Sequence, residues 1–160
     1  MQGNPRTGIV MATMIEASPL IGALGLESAG DGPVRVFTAP GGPVLAVSGI
    51  GKVNAALAAC YLVMRHDAGT MFNIGAAGAT GNGLRIGEVF HVGAIIEPDR
   101  PRIMNRSQRS STPDTLEGFS MASLATLDRP LVSAAERASV APRADLVDME
   151  GAAVLQACRM

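Results

Sequence analysis

Apolar and polar positions divide the chain into short alternating elements. Gly8-Ile9-Val10-Met11-Ala12-Thr13-Met14 is almost free of strongly polar side chains, the pattern of a strand buried on both faces. Glu16 follows at once, and Leu20, Ile21 and Leu24 then fall on one face of a helix. After a turn over 30–33, Val34-Arg35-Val36-Phe37 alternates. Pro40-Gly41-Gly42-Pro43 separates it from Val44-Leu45-Ala46-Val47, which predicts an antiparallel hairpin. A helix is expected over 55–64, a strand over 70–74, and another running through Ile96. From 100 to 118 serine, proline and arginine dominate and the periodicity vanishes, so a long loop is expected there. A strand over 121–127 and a short helix over 133–140 follow. Leu146-Val147 then reads as a strand and the run to Met160 as a helix. This alternation predicts an α/β sandwich with a largely buried sheet. The 160 residues are read as one domain, 1–160, large enough to bury a core.

Composition narrows the class of partner. Hydrophobic residues make up 48% and charged ones 17%, too apolar for a disordered chain. A net charge of −1 gives no field to draw the chain to nucleic acid or an anionic membrane. One Tyr, four Phe and no Trp offer few platforms for stacking bases. The first apolar run is too short for a membrane span and lacks a clean signal-peptide pattern, so a cytoplasmic location is expected. Cys60 and Cys158 lie in apolar helix-like runs without metal-ligand spacing, and read as buried free thiols. His66 and His91 share no motif and read as structural.

Four places carry candidate chemistry. Glu16 stands just beyond a strand end, where open α/β sheets place ligand chemistry. It equally suits the first turn of a helix, whose dipole favours an acid. Ser48-Gly49-Ile50-Gly51-Lys52-Val53-Asn54 opens a helix and could bring backbone N–H groups against an anion or a sugar. Asn54 occupies the place of the third glycine of a dinucleotide fingerprint, and Ala46 and Val53 break the phosphate-loop pattern. Lys52, the only lysine among 13 basic residues, also reads as a surface charge near a helix end. Gly75-Ala76-Ala77-Gly78-Ala79-Thr80-Gly81 is a second glycine-rich turn, and two such loops on one sheet edge would line a crevice. Finally, Asp148-Met149-Glu150-Gly151-Ala152-Ala153 reads as a strand delivering a carboxylate, Glu150, with small residues letting a helix start close by. A solvated helix start explains the same acids.

Together these segments resemble the nucleoside phosphorylase/nucleosidase superfamily. The resemblance rests on Gly8-Ile9-Val10 leading to Glu16, Ser48-Gly49-Ile50-Gly51-Lys52-Val53-Asn54-Ala55-Ala56, Asn73-Ile74-Gly75-Ala76-Ala77-Gly78, Leu84-Arg85-Ile86-Gly87-Glu88-Val89 and Val147-Asp148-Met149-Glu150-Gly151-Ala152-Ala153. In its N-terminal half the chain is similar to methylthioadenosine/S-adenosylhomocysteine nucleosidases. The resemblance implies a phosphorylase-like three-layer α/β/α sandwich with a mixed central sheet. It also implies water-driven cleavage of the N-glycosidic bond of a purine nucleoside, without a cofactor or metal. By the same resemblance Glu16 positions and deprotonates the attacking water, Glu150 accepts hydrogen bonds from ribose hydroxyls, and Met149 packs on the sugar. Ile50, Gly51, Gly75, Ala76, Ala77 and Gly78 belong to the glycine-rich loops of the pocket, and Asp128, Arg129 and Pro130 lie on the base side. A homodimer is implied as well.

The chain departs from that pattern in three ways. Ala76 stands where a hydroxyl residue is common, and Arg129-Pro130-Leu131 where an aromatic often faces the base. The family's catalytic aspartate lies in a Ser-Asp motif on a strand beyond the Met-Glu helix, whereas the sequence ends at Met160. The sequence is therefore expected to be a C-terminally incomplete domain, lacking that strand and the helix after it. It is also expected to hydrolyse nucleosides at least about a hundredfold more slowly than a chain extended through the Ser-Asp strand, since a positioned acid contributes that much or more. Comparing initial rates of base release from the two chains tests this. A phosphorylase of the same superfamily and a non-catalytic nucleoside-binding remnant are the alternative readings.

Overall fold

A computed structural model describes residues 5–81, 83–100 and 110–160. They fall into two compact units, one built from the first 76 residues with 153–160, the other from 77–152. The fold is mixed α/β, with two mixed five-stranded sheets and four helices among the described residues.

The first unit begins with β1 (Arg6–Met11) and α1 (Met14–Ala23). Strands β2 (Glu27–Ser28), β3 (Arg35–Thr38) and β4 (Val44–Val47) follow, then α2 (Lys52–His66) and β5 (Ala68–Asn73). The sheet order is β2-β3-β4-β1-β5. The expected hairpin is β3–β4, antiparallel with Val36 opposite Ala46. β1 pairs in parallel with β4 on one side and β5 on the other. The apolar runs explain which strands are central: Val10, Val44, Leu45 and Ala46 are fully buried. α2 covers one face with Ala55, Ala58, Ala59 and Leu62; the three alanines let the helix pack closely on Val10 and Val44. Ile9, Met11 and Leu45 face the opposite side, against Ala17 of α1. Arg6 secures the β3–β4 turn: its guanidinium donates to the Thr38 hydroxyl and to the carbonyls of Ala39, Gly42 and Pro43.

The second unit contains β6 (Gly78–Ala79), β7 (Phe90–Ile96), β8 (Ser110–Ser111), β9 (Ser120–Thr126), α3 (Ala134–Val140) and β10 (Leu146–Asp148). Its sheet runs β6-β10-β9-β7-β8, with β9 parallel to both β7 and β10. α4 (Gly151–Ala157) starts in this unit, and from Ala153 onward its residues belong to the first, where Val154 joins the core.

The expected loop over 100–118 contains β8, and its residues 101–109 lie outside the described part. The two-residue strands β2 and β6 carry no periodicity that could announce them. Cys60 is half-buried and Cys158 exposed, so the expectation of two buried thiols fails; both are free. Cys158 falls just past the end of α4, and an apolar run alone does not show how far each of its positions is covered. His66 packs on Tyr61 and His91 on Phe119, with ring centroids 5.5 and 4.8 Å apart. No described helix is long and apolar enough to cross a membrane.

Candidate functional site

In the first unit, the carboxyl ends of the parallel strands β4, β1 and β5 share one edge, and the loop that leaves each of them carries predicted site residues. The main chain ties these loops to the strand ends. Ser48 and Gly49 donate their N–H groups to the carbonyls of Met11 and Ala12, and Ile74 donates to Val10. The edge at which open α/β sheets place ligands is thus assembled from three segments distant in sequence.

Glu16 lies in the first turn of α1, half-buried. Thr13 is the N-cap, and the pair forms a reciprocal capping box: the Thr13 hydroxyl accepts from the Glu16 N–H while Glu16 Oε2 accepts from the Thr13 N–H at 2.9 Å. The Thr13 hydroxyl also donates to Oε2, at 2.7 Å. Glu16 Oε1 reaches across to the loop after β5 and accepts from the Ala76 N–H at 2.9 Å. Gly75 leaves room for it: a Cβ there would lie 3.2 Å from Oε1, so the carboxylate would have to give by a few tenths of an ångström. The helix-start reading of Glu16 is the one its capping box with Thr13 bears out. The side chain caps a helix with one oxygen and turns the other toward the second glycine-rich loop. Three donors occupy three of roughly four lone-pair sites, which leaves one acceptor position on Oε1.

The loop after β4 turns through Gly49 and Gly51, with φ of +86° and +103°, a backbone that side chains rarely adopt. Gly51 caps α2 without any side-chain bond. Asn54, which spoils the dinucleotide fingerprint, has a different task here: its Nδ2 donates to the Ile50 carbonyl at 2.8 Å and latches the loop closed. The i to i+4 spacing at a helix start is the signal by which sequence reasoning could have found it. Ile50 itself is 57% exposed.

In the second unit, Met149 and Glu150 form the turn between β10 and α4, both half-buried. Glu150 Oε2 accepts from the Met149 N–H at 3.2 Å. Asp148, just before them, accepts from the Thr126 hydroxyl on Oδ1 and from the Gly151 N–H on Oδ2, each at 2.6 Å. Ala77 lies on the segment entering β6, where Gly78 pairs with Val147 of β10.

The base-side residues Asp128, Arg129 and Pro130 follow β9. The Asp128 N–H donates to the Asp99 carboxylate. Arg129 turns toward α3 and pairs with Glu136, itself in a capping box with Ser133. The Ser133 N–H, the Arg129 guanidinium and the Ser133 hydroxyl together hold the Glu136 carboxyl at about 2. The helix pattern alone gives no sign of this pair, because the partner of Glu136 lies seven residues upstream in a loop. An open groove of about 810 Å³ in the first unit runs over Arg6, Gly42 and Phe72, and no predicted site residue lines it.

Residues 8–141 match the family model described as the phosphorylase superfamily. The match stops short of the Asp148 to Ala153 block. No curated protein matches significantly. Among solved structures, the chain is similar to a 5′-methylthioadenosine/S-adenosylhomocysteine nucleosidase from Neisseria meningitidis in complex with methylthio-immucillin-A (24% identity, TM-score 0.80). It is also similar to the corresponding nucleosidase of Campylobacter jejuni (23%, 0.84) and to a futalosine hydrolase mutant of Helicobacter pylori strain 26695 (19%, 0.84). Each likeness covers 98% of this chain and 80% of the other. At such identities the likeness is one of fold.

Proposed function

The chain belongs to the phosphorylase superfamily, and from that premise we propose that it cleaves the N-glycosidic bond of a purine nucleoside with water as the nucleophile. In this reading residues 1–160 act as one nucleoside phosphorylase/nucleosidase-like domain in the cytoplasm. The observation that carries the reading is the Glu16 carboxylate, held by Thr13 and the Ala76 N–H with one acceptor position to spare. A carboxylate so placed can orient a water and take its proton as the sugar acquires oxocarbenium character. Glu150 binds the ribose hydroxyls, for which an acceptor-only group is suited. Its negative charge also favours the developing cation. Met149 supplies apolar contact to the sugar, and the loops at Gly51 and 75–78 bring backbone close to it. Asp128, Arg129 and Pro130 lie on the base side, with the Arg129 guanidinium engaged by Glu136. The structurally similar nucleosidases are named for methylthioadenosine and S-adenosylhomocysteine, which makes a 5′-thio-substituted adenosine the first substrate to try.

The test is incubation of the chain with 5′-methylthioadenosine, S-adenosylhomocysteine and inosine, with and without phosphate, following the free base. Base release independent of phosphate supports hydrolysis. Release only with phosphate moves the assignment to phosphorolysis, and binding without release leaves a nucleoside-binding protein.

A homodimer belongs to the same proposal. On α2, Val53, Leu57 and Met64 form an outward apolar stripe, 73%, 62% and 80% exposed, opposite the face that packs on the sheet. A helix apolar on both sides calls for a second partner, and a second copy fits a stripe this poor in charge. Leu57→Glu is expected to weaken self-association by at least about a hundredfold, because an unpaired buried charge costs several kcal/mol. Sedimentation equilibrium measures it, and a parent chain monomeric at micromolar concentration would contradict the dimer.

A further inference from the structure

Thr126 ends β9 with its side chain fully buried, in register with Asp148 on β10. A buried strand position between Ala125 and Leu127 is filled at least cost by valine, which has the same shape without a polar group to desolvate. The hydroxyl here is fully used. It donates to Asp148 Oδ1 at 2.6 Å and accepts from the Ala152 N–H at 3.0 Å. Asp148 Oδ2 takes the Gly151 N–H at 2.6 Å, and the Leu127 N–H donates to the Asp148 carbonyl at 3.0 Å. Glycine at 151 lets this closure form without displacing its neighbours. An added Cβ would lie 2.8 Å from Leu124 Cδ2 and 3.0 Å from Asp148 Oδ2.

These bonds fix residue 148 on one side and residues 151 and 152 on the other. Between the fixed points lie only Met149 and Glu150. We infer that Thr126 is a positioning residue for the nucleoside-binding carboxylate: its hydroxyl, acting through Asp148 and the first N–H groups of α4, sets the direction in which Glu150 leaves the β10–α4 turn. The inference rests on the assignment of Glu150 to the ribose. A clamp of this kind matters because a carboxylate accepting two hydroxyls at once tolerates little displacement.

Three variants separate this role from plain stability. Thr126→Val keeps the shape and removes the hydroxyl. It is expected to weaken binding of 5′-methylthioadenosine, measured by calorimetry, by about tenfold to a hundredfold, the scale of loss from misplacing a binding group. Thr126→Ser loses a methyl group and some thermal stability, but keeps the affinity. In a Glu150→Gln background Thr126→Val costs little further affinity, because the two changes act on one contact. Where Thr126→Val does not fold, Asp148→Asn gives the same reading, since an amide cannot accept from both Thr126 and Gly151. Unchanged affinity in Thr126→Val, or losses that simply add in the double variant, overturn the inference while leaving Glu150 on the ribose. Unchanged affinity in Glu150→Gln alone overturns the ribose assignment itself, and this inference with it.

Discussion

Glu150→Gln is expected to weaken binding of 5′-methylthioadenosine by roughly tenfold to a hundredfold, because hydrogen bonds to a charged acceptor are each worth about 1.5–3 kcal/mol. Glutamine keeps one carbonyl acceptor and replaces the other oxygen by a donor, so one of two paired ribose hydroxyls loses its partner. The fold should hold, because glutamine keeps the shape of the side chain and one acceptor oxygen. The turn after β10 is closed by Asp148, Thr126 and Gly151, and the Glu150 carboxylate accepts from the neighbouring Met149 N–H at 3.2 Å. The two acids of this block therefore have different work, and Asp148→Ala makes the contrast. It leaves the Thr126 hydroxyl and the Gly151 N–H without their acceptor, and is expected to lower stability by about 1–3 kcal/mol. Thermal unfolding and calorimetry on both variants check the division. Equal affinity of Glu150→Gln and the parent chain would remove Glu150 from the ribose.

What the sequence made legible follows the physics of each element. Continuous apolar runs announced β1 and β4, because a parallel strand covered on both faces must be apolar throughout. Proline and glycine at 40–43 announced the β3–β4 hairpin. The Asp148-Met149-Glu150-Gly151 block could be read as the end of a strand running into a helix because small residues follow the acids, and β10 and α4 lie there. Other features were hidden because they depend on partners distant along the chain. Thr126 reads as an ordinary β-branched strand residue until β10 places Asp148 opposite it, 22 positions later. The Glu16 to Ala76 bond spans 60 positions. Nothing in the composition marks a boundary at 76 or 152, so the division into two units is invisible to a reading that looks for linkers.

Glu16 provides the sharpest test of chemistry, because its two functions respond differently to two substitutions. Glu16→Gln preserves the capping box, which accepts glutamine at the same position. One amide oxygen can serve either the Thr13 N–H or the Ala76 N–H, but not both in the present arrangement. Stability should therefore fall only slightly, by an amount near the roughly 1 kcal/mol of one hydrogen bond. An amide cannot take a proton from water, so hydrolysis of 5′-methylthioadenosine should drop by about 10²–10⁴-fold relative to the parent chain measured alongside. Glu16→Ala should lose as much activity and also release the Thr13 and Ala76 N–H groups, lowering the melting temperature further than glutamine does. If Glu16 were only a helix cap, the order would reverse: glutamine would retain the parent rate, and alanine would lose activity only as far as it lost folded protein. Initial rates and thermal melts on the same preparations decide between the two. A parent-like rate in Glu16→Gln would place the base elsewhere and leave Glu16 as the capping residue that its bonds to Thr13 already make it.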